Sequence, residues 1–204
     1  MPRIYSYVVV HDTGAATNVE GGYCTLAICK PVIRRVANPG DWVVGLWPAP
    51  NRHRVTFVLQ IADAIPIGDY WNDVRFQHKK PGRSKTPDNI YRHTLDGPVW
   101  VPNRIHPISS AAHDLGGRRV LFGDRFWYFG ANPVELPAAY KDLDLPNPRR
   151  GHRVQTWSDA KLGSFVEWLR SHGNGVCGDS RDHIPDTQSG EGRGPTKSLP
   201  RSRC

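Results

Sequence analysis

Alternating hydrophobic and polar residues predict the most regular strand of the chain at residues 55–61. The apolar positions are Val55, Phe57, Leu59 and Ile61, and Thr56, Val58 and Gln60 stand between them. A period of two places one face of a strand in the core. Two more strands are predicted at Ile4–Val10, which is rich in β-branched and aromatic residues, and at Asp41–Trp47, whose apolar run is typical of a largely buried strand.

A helical period appears later in the chain. Apolar residues recur at i, i+3, i+4 and i+7, and Ser158 can cap the helix that contains them. These apolar residues are Leu162, Phe165, Val166 and Leu169. The pattern predicts a C-terminal helix that packs one face against the sheet and ends by Gly173.

Turn-forming and capping residues predict several shorter elements. A short strand at Tyr23–Ala27 precedes a helix of a turn or two that begins at Pro31. Asp69 can cap a second short helix that runs to about Gln77, and flanking prolines make Pro98–Pro102 an edge strand. The dipeptide Gly123-Asp124 predicts a hairpin with a type II′ turn. Its strands are Arg119–Phe122 and Arg125–Phe129.

Composition divides the chain into a folded part and a tail. Glycine and proline number 20 and 18, which favours many turns and little helix. All aromatic residues precede position 170, so the remainder has little to bury. We therefore predict one domain at 1–172 and a disordered tail at 173–204. The expected fold class is α+β and mostly β, either a PUA-like barrel or a strongly curved mixed sheet with a few short helices.

Charge and cysteine usage suggest a cytoplasmic protein with a polyanionic partner. The formal charge is +8 and the isoelectric point is about 9.6, which favours phosphate-bearing ligands. Five basic and four acidic residues follow Gly173, so the excess belongs to the folded part. The four cysteines form no disulfide framework or metal-ligand spacing. No signal peptide, membrane span, metal or cofactor is predicted from these patterns.

Aromatic and basic residues interleave between positions 70 and 92. Such a surface can stack a base and hold phosphate. The candidate residues are Trp71, Asn72, Asp73, Arg75, Lys79, Lys80, Asn89 and Tyr91. An alternative is a structural helix with core aromatics and a solvated basic loop after it.

Other candidate residues lie outside this segment. Lys30, Arg34 and Arg35 could face phosphates, or form an ordinary solvated helix face. Cys24, with His11 and Asp12 near it in sequence, suggests a nucleophile and base, although cysteine is more often a small buried apolar residue. The residues His106, His113 and Asp114 could act as acid, base or ligands, but their spacing matches no metal motif.

Several multi-residue blocks occur in an order that resembles a known family, the second type of nucleotide modification associated domain. The blocks are Tyr5–Val9, Gly22–Ala27, Cys29–Pro31, Ile33–Arg35, Gly40–Gly45, Tyr70–Asp73, Arg75–Phe76, Lys79–Pro81, Asp88–Tyr91, His113–Asp114 and Phe126–Gly130. The likeness covers about residues 3–170. It departs from the family pattern at 48–53 and in the tail. The Gly40-Asp41 step also resembles a turn of PUA-like barrels.

The resemblance implies a bacterial or phage protein linked to systems that modify DNA bases. The first hypothesis is a binding domain for a modified base, a nucleotide or a nucleic acid. The second is an enzyme acting on a nucleotide or base, in which Cys24, His113 and Asp114 share a pocket. The third is a structural partner of other proteins of a DNA modification system, which predicts an exposed apolar patch.

Overall fold

Sheets dominate the computed structural model, which describes residues 1–48, 53–144 and 151–182. The strands are β1 (Arg3–Val8), β2 (Cys24–Leu26), β3 (Trp42–Leu46), β4 (Arg54–Gln60), β5 (Asp63–Pro66), β6 (Tyr91–Thr94), β7 (Gly97–Trp100), β8 (Arg119–Gly123), β9 (Phe126–Tyr128), β10 (Val134–Glu135), β11 (Arg153–Thr156) and β12 (Gly175–Val176). The α-helices are α1 (Pro31–Val36), α2 (Ile67–Asn72), α3 (Ala111–Leu115) and α4 (Asp159–Arg170). Short 3₁₀-helices lie at Glu20–Gly22, Val74–Lys79, Ile108–Ser110 and Ala138–Leu143.

The largest sheet is mixed and open. Its strand order is β11-β1-β3-β4-β9-β12, and β10 pairs with β4. Strand β1 pairs in parallel with β3, and β12 in parallel with β9, whereas the other pairs are antiparallel. Strands β2, β8 and β5 form a second sheet, and β6 and β7 form a third. The α+β, mostly β prediction is confirmed. Across the described residues no sheet closes on itself, so a PUA-like barrel is not confirmed.

Apolar contacts order the fold in layers. Helix α4 covers one face of the large sheet, where Phe165 and Leu169 pack with Trp42. The opposite face contributes Tyr5 and Phe57, among others, to a second core shared with β2, β8 and α1. The far side of the small sheet packs against α2 and the residues after it. The strands of both central layers are therefore buried on two faces, which explains their continuous apolar runs.

The two most regular sequence patterns are confirmed as a strand and a helix, but the strand is buried on both faces and not on one, since Thr56 and Val58 are also buried. Strand β4 spans Arg54–Gln60, one residue earlier at each end than predicted. In α4, the Ser158 hydroxyl accepts a hydrogen bond from the Lys161 amide at 3.2 Å, and the predicted apolar face is the face that lies in the core. The predicted loop after β3 extends over 49–52, which lie outside the described residues.

The predicted hairpin at Gly123-Asp124 is wrong. Strand β8 pairs with β2 and β5, whereas β9 pairs with β4 and β12 in the other sheet. Gly123 is not among the residues with positive φ, which a type II′ turn needs at its first central position. An added Cβ at Gly123 would lie 2.1 Å from the Gln60 carbonyl oxygen. The glycine is therefore required for close packing where the chain crosses between sheets.

The predicted helix from Asp69 to Gln77 is divided in the structure. Helix α2 begins at Ile67, so Asp69 lies in its first turn and does not cap it. The helix stops at Asn72, and the Asp73 carboxylate then accepts from the Arg75 amide at 2.9 Å to start the 3₁₀-helix. Asp73 is therefore both the residue at which α2 ends and the N-cap of the following 3₁₀-helix.

Residues beyond the predicted domain boundary contact the sheet. Val176 pairs with Tyr128 in β12, and the Asp182 amide donates to the Asp12 carbonyl at 2.8 Å. Residues 183–204 lie outside the described part of the chain, where the tail stays a prediction. No described helix combines the length and apolarity needed to cross a membrane.

Candidate functional site

Burial divides the predicted site residues into two sets. The buried ones are Cys24, Arg34, Lys79, Asn89, Tyr91 and Asp114. The partly or fully exposed ones are Lys30, Arg35, Trp71, Asn72, Asp73, Arg75, Lys80 and His113. A buried side chain whose donors already have partners cannot reach a ligand in solvent without rearrangement. The surface set is therefore the one that can bind a ligand directly.

Lys79 is the centre of a buried polar network. Its ammonium group donates to the Asn18 carbonyl and side-chain oxygens at 3.0 and 2.8 Å, to the Tyr23 carbonyl at 2.9 Å and to the Thr25 hydroxyl at 3.1 Å. Burial lowers the pKa of Lys79, and the charge of Asp88 opposes this shift. An ammonium has three protons, so these acceptors use its full donor capacity. Lys79 therefore has a structural role, because it joins Asn18, Tyr23 and Thr25 through hydrogen bonds.

Asp88 is the buried acid of the same network. Its carboxylate accepts from the Thr25 hydroxyl at 2.5 Å and from the Tyr70 hydroxyl at 2.8 Å. Burial raises the pKa of Asp88 to about 6, although Lys79 acts in the opposite direction. Burial likewise raises the pKa of the Cys24 thiol. Because a thiolate is the reactive form, Cys24 is not suited to act as a nucleophile.

Trp71 and Lys80 are partly exposed, and each directly follows a buried residue of this region, Tyr70 and Lys79 respectively. The Lys80 ammonium nitrogen lies 3.8 Å from the centre of the Trp71 ring. Burial lowers the pKa of Lys80, and the charge of Arg83 lowers it further. Within the described chain neither Lys80 nor Arg83 forms an ion pair with an acid. Asn72 is exposed beside them. Aromatic, cationic and amide groups therefore meet on one accessible segment.

Asp73 and Arg75 are already partnered with each other. Three charged hydrogen bonds join their side chains, the shortest of which is 2.6 Å, and this contact lowers the pKa of Asp73. The guanidinium carbon of Arg75 lies 4.7 Å from the centre of the Phe122 ring. This pair is exposed, but a ligand would have to compete with it.

Arg34 and Arg35 are adjacent in α1 but differ in burial. Arg34 is fully buried and donates to the carbonyl oxygens of Ala27, Cys29 and Asp114. Burial lowers its pKa to about 10. Arg35 is exposed and donates to the Gly116 carbonyl at 3.2 Å. Arg34 therefore fixes the backbone of two segments, 27–29 and that of Asp114, and Arg35 is exposed at the surface.

Asp114 forms the second buried polar cluster. Its Oδ1 accepts from the Cys29 amide at 2.8 Å, and its Oδ2 accepts from the Tyr91 hydroxyl at 2.8 Å. The Nε2 atom of His106 lies 2.7 Å from the same Oδ2. Burial would raise the pKa of Asp114, but the contact with His106 and the other donors lower it overall. The exposed His113 is not part of this cluster.

Cys29 completes a group that can hold a metal ion. One ligand atom each from Cys29, His106 and Asp114 lies within 4.8 Å of the others, and all three residues are buried. The sequence patterns indicated His106, His113 and Asp114 as possible ligands and Cys24 as the candidate nucleophile, and they did not indicate Cys29 for this group. Cys29 is 85 residues from Asp114 along the chain, so no local spacing could have revealed the group.

A third group of side chains contains Lys30, Tyr7, Tyr5 and His152. Its ammonium nitrogen lies 4.4 Å from the centre of the Tyr7 ring. The His152 ring lies 6.1 Å from the Tyr5 ring, and burial and the charge of Lys30 lower the pKa of His152. Cys29 and Lys30 both have positive φ, of 58° and 42°. Such backbone strain in consecutive residues other than glycine is characteristic of functional sites.

Two clefts on the surface of the described residues lie elsewhere. One, of about 430 Å³, is lined by Asp124, Trp127 and Asn174, among others, and its neighbour of about 340 Å³ by Trp42, Asp159 and Glu167, among others. Both are open, and Arg125 and Arg170 belong to both. No candidate site residue lines either cleft, so we do not place the functional site there.

Comparisons with known proteins give the family. Part of the chain is similar to the cytidylyl-2-hydroxypropylphosphonate hydrolase of Streptomyces fradiae, with 33% identity over 89 residues. That match covers 38% of this chain and 42% of the relative, so the chain spans less than half of the relative's length. No solved structure gives a significant match. Residues 1–186 match the family described as nucleotide modification associated domain 2. The chain belongs to this family, as its ordered sequence blocks predict.

Proposed function

We propose that the domain binds a nucleotide, free or within a nucleic acid, at the surface formed by Trp71, Lys80 and Arg83. The observation that carries this proposal is the 3.8 Å contact of the Lys80 ammonium group with the Trp71 ring, with Arg83 close enough to lower the pKa of Lys80. Two neighbouring cations without an acidic partner repel each other. A phosphate group would relieve that repulsion.

Each exposed residue has a separate task in this proposal. Trp71 offers an aromatic face for a base, and Lys80 and Arg83 hold phosphate. We assign the reading of a base edge to the exposed Asn72 and not to Asp73, whose carboxylate is already engaged by Arg75. Lys79 does not contact the ligand but anchors the segment from below.

The family supports a nucleotide as the ligand, since its name links it to nucleotide modification. We further propose that the ligand carries a modified base, and that the domain works in the cytoplasm with other proteins of a DNA modification system. The basic excess of the folded part, within a total formal charge of +8, favours a polyanion over a neutral nucleoside.

Binding can be tested by fluorescence anisotropy with labelled DNA and RNA oligonucleotides, with and without modified bases, and by calorimetry with nucleoside monophosphates. We expect Trp71→Ala and Lys80→Ala each to weaken binding about tenfold, within the range measured for base stacking and phosphate contacts. The control is Lys141→Ala, because Lys141 is an exposed lysine outside the proposed surface.

Affinity should fall as salt is raised, because bound counterions are released from the phosphates. The proposal is abandoned if none of these probes binds in a salt-dependent manner. It is also abandoned if Lys80→Ala binds as tightly as the unaltered protein.

A second candidate function is hydrolysis of a nucleotide joined to a phosphate or phosphonate. The name of the curated relative describes such a hydrolase, and the group of Cys29, His106 and Asp114 supplies a nucleophile or metal ligand with a base and an acid. Release of cytidine monophosphate from a cytidylyl phosphonate, followed by ³¹P NMR, tests it. Activity that is lost in His106→Ala and kept in His113→Ala would support it. Absence of turnover with and without added Zn²⁺ would reject it.

A further inference from the structure

We infer that Cys29, His106 and Asp114 form a site for a transition-metal ion of the Zn²⁺ class. The three residues are 6%, 5% and 0% exposed. They come from the loop before α1, the loop after β7, and α3. One donor atom from each lies within 4.8 Å of the other two. Three different ligating groups thus meet in the interior, where His106 Nε2 and Asp114 Oδ2 are already 2.7 Å apart.

The donor set selects the ion. A thiolate sulfur, an imidazole nitrogen and a carboxylate oxygen together suit Zn²⁺ or Co²⁺, whereas Mg²⁺ and Ca²⁺ prefer oxygen ligands alone. Ligands of a tetrahedral zinc ion lie roughly 3.3–3.8 Å apart, given metal–ligand distances of about 2.0–2.3 Å. A pair at the 4.8 Å limit would have to close by about 1.0–1.5 Å, and His106 Nε2 and Asp114 Oδ2, now 2.7 Å apart, would have to separate by roughly 0.6–1.1 Å. Side-chain rotation can provide movements of this size.

Hydrogen bonds to the ligands resemble the outer shell of a metal site. The Cys29 amide holds Asp114 Oδ1 and the Tyr91 hydroxyl holds Oδ2, both at 2.8 Å. Arg34 donates from Nε to the Cys29 carbonyl at 2.8 Å and also to the Asp114 carbonyl. Such contacts orient ligands and are needed for affinity. The backbone positions of two of the three ligands are therefore fixed by one buried guanidinium.

Charge compensation is also favourable. An ionised Cys29 and Asp114 together carry two negative charges, which a divalent cation neutralises. Arg34 adds a positive charge close to this group, and its guanidinium group donates to backbone carbonyls. Three protein ligands would leave the fourth tetrahedral position for water or a substrate atom, as in catalytic zinc sites. This inference does not depend on nucleotide binding at Trp71.

The test uses the full-length protein without a histidine tag, first treated with a chelator and then titrated with Co²⁺. We expect one Co²⁺ per chain and a near-ultraviolet thiolate-to-metal charge-transfer band. Zn²⁺ should displace the Co²⁺ and abolish the band. Cys29→Ser should remove the band, and His106→Ala should weaken metal binding at least tenfold.

Matched controls are Cys177→Ser and His113→Ala, which change a partly exposed thiol and an exposed imidazole. Both should keep the band and the affinity. Circular dichroism checks that each variant is folded, and Cys29→Ser serves as the decisive variant because it changes a single atom. The inference is overturned if the protein binds no Co²⁺ or Zn²⁺, or if the band survives Cys29→Ser. It is also overturned if His113→Ala weakens binding as much as His106→Ala does. The assay contains no nucleotide, so its failure would leave the proposed nucleotide interface standing.

Discussion

The ammonium nitrogen of Lys79 lies 2.8 Å from Oδ1 of Asn18, a residue 61 positions earlier in the chain. Its neighbour Lys80 instead lies over Trp71 at the surface. Two adjacent lysines therefore have different roles, one in the interior and one at the proposed binding surface. Paired substitutions can separate these roles.

Lys79→Met should destabilise the domain by about 3–5 kcal/mol, because it leaves Asp88 without its buried cation. Lys80→Met should change the free energy of unfolding by less than about 0.5 kcal/mol, as is usual for surface positions. Urea unfolding measures both. Equal stability losses in the two variants would contradict the different roles assigned to these lysines.

Asp88 should make stability depend on pH. Its pKa rises from 3.8 to about 6 on folding, because it is buried. The folded state therefore binds more protons than the unfolded state between these values, and stability falls as pH rises from about 4 to 6. Lys79 and Glu20 also act on this carboxyl. Between about pH 4 and 6, the free energy of unfolding of the unaltered protein should fall by about 3 kcal/mol more than that of Asp88→Asn. Urea unfolding of both proteins at pH 4, 5, 6 and 7 measures the difference, and a constant difference would contradict the raised pKa.

Arg34→Met should destabilise the domain by at least about 3 kcal/mol, because several buried carbonyl oxygens lose a charged donor. Arg35→Met is the matched control, since Arg35 is exposed and makes one 3.2 Å hydrogen bond. It should cost less than about 0.5 kcal/mol. Thermal unfolding monitored by circular dichroism compares them. A smaller loss of stability in Arg34→Met than in Arg35→Met would contradict the buried position of Arg34 and the exposed position of Arg35.

Two glycines should respond to alanine in opposite ways. In Gly123→Ala the new Cβ would collide with the Gln60 carbonyl at 2.1 Å, so the variant should lose stability. In Gly163→Ala the Cβ meets nothing within 4 Å, and α4 should gain about 0.5–1 kcal/mol from the higher helix propensity of alanine. Chemical denaturation tests both signs. If Gly123→Ala were neutral, the close approach of the chain to Gln60 would be in doubt.

Local patterns determined the elements whose signals are complete within a few residues. The strand β4 and the capped, apolar face of α4 are of this kind, since neighbouring side chains alone give the signal. That β4 is buried on two faces and not on one depends on the second core, which the local pattern does not show. The order of the sequence blocks also identified the family.

Only the tertiary structure decided which residue of a similar pair is buried. Arg34 rather than Arg35, Lys79 rather than Lys80, and His106 rather than His113 enter the interior. The sequence contains similar ionisable side chains nearby, and the burial of Arg34 and Lys79 depends on acceptors that lie 85 and 61 residues away. The same cause explains the wrong hairpin at Gly123, because strand pairing between separate sheets leaves no local signal in the turn residues. Long-range hydrogen bonding thus fixed the buried clusters, whereas short-range periodicity fixed the strands and helices around them.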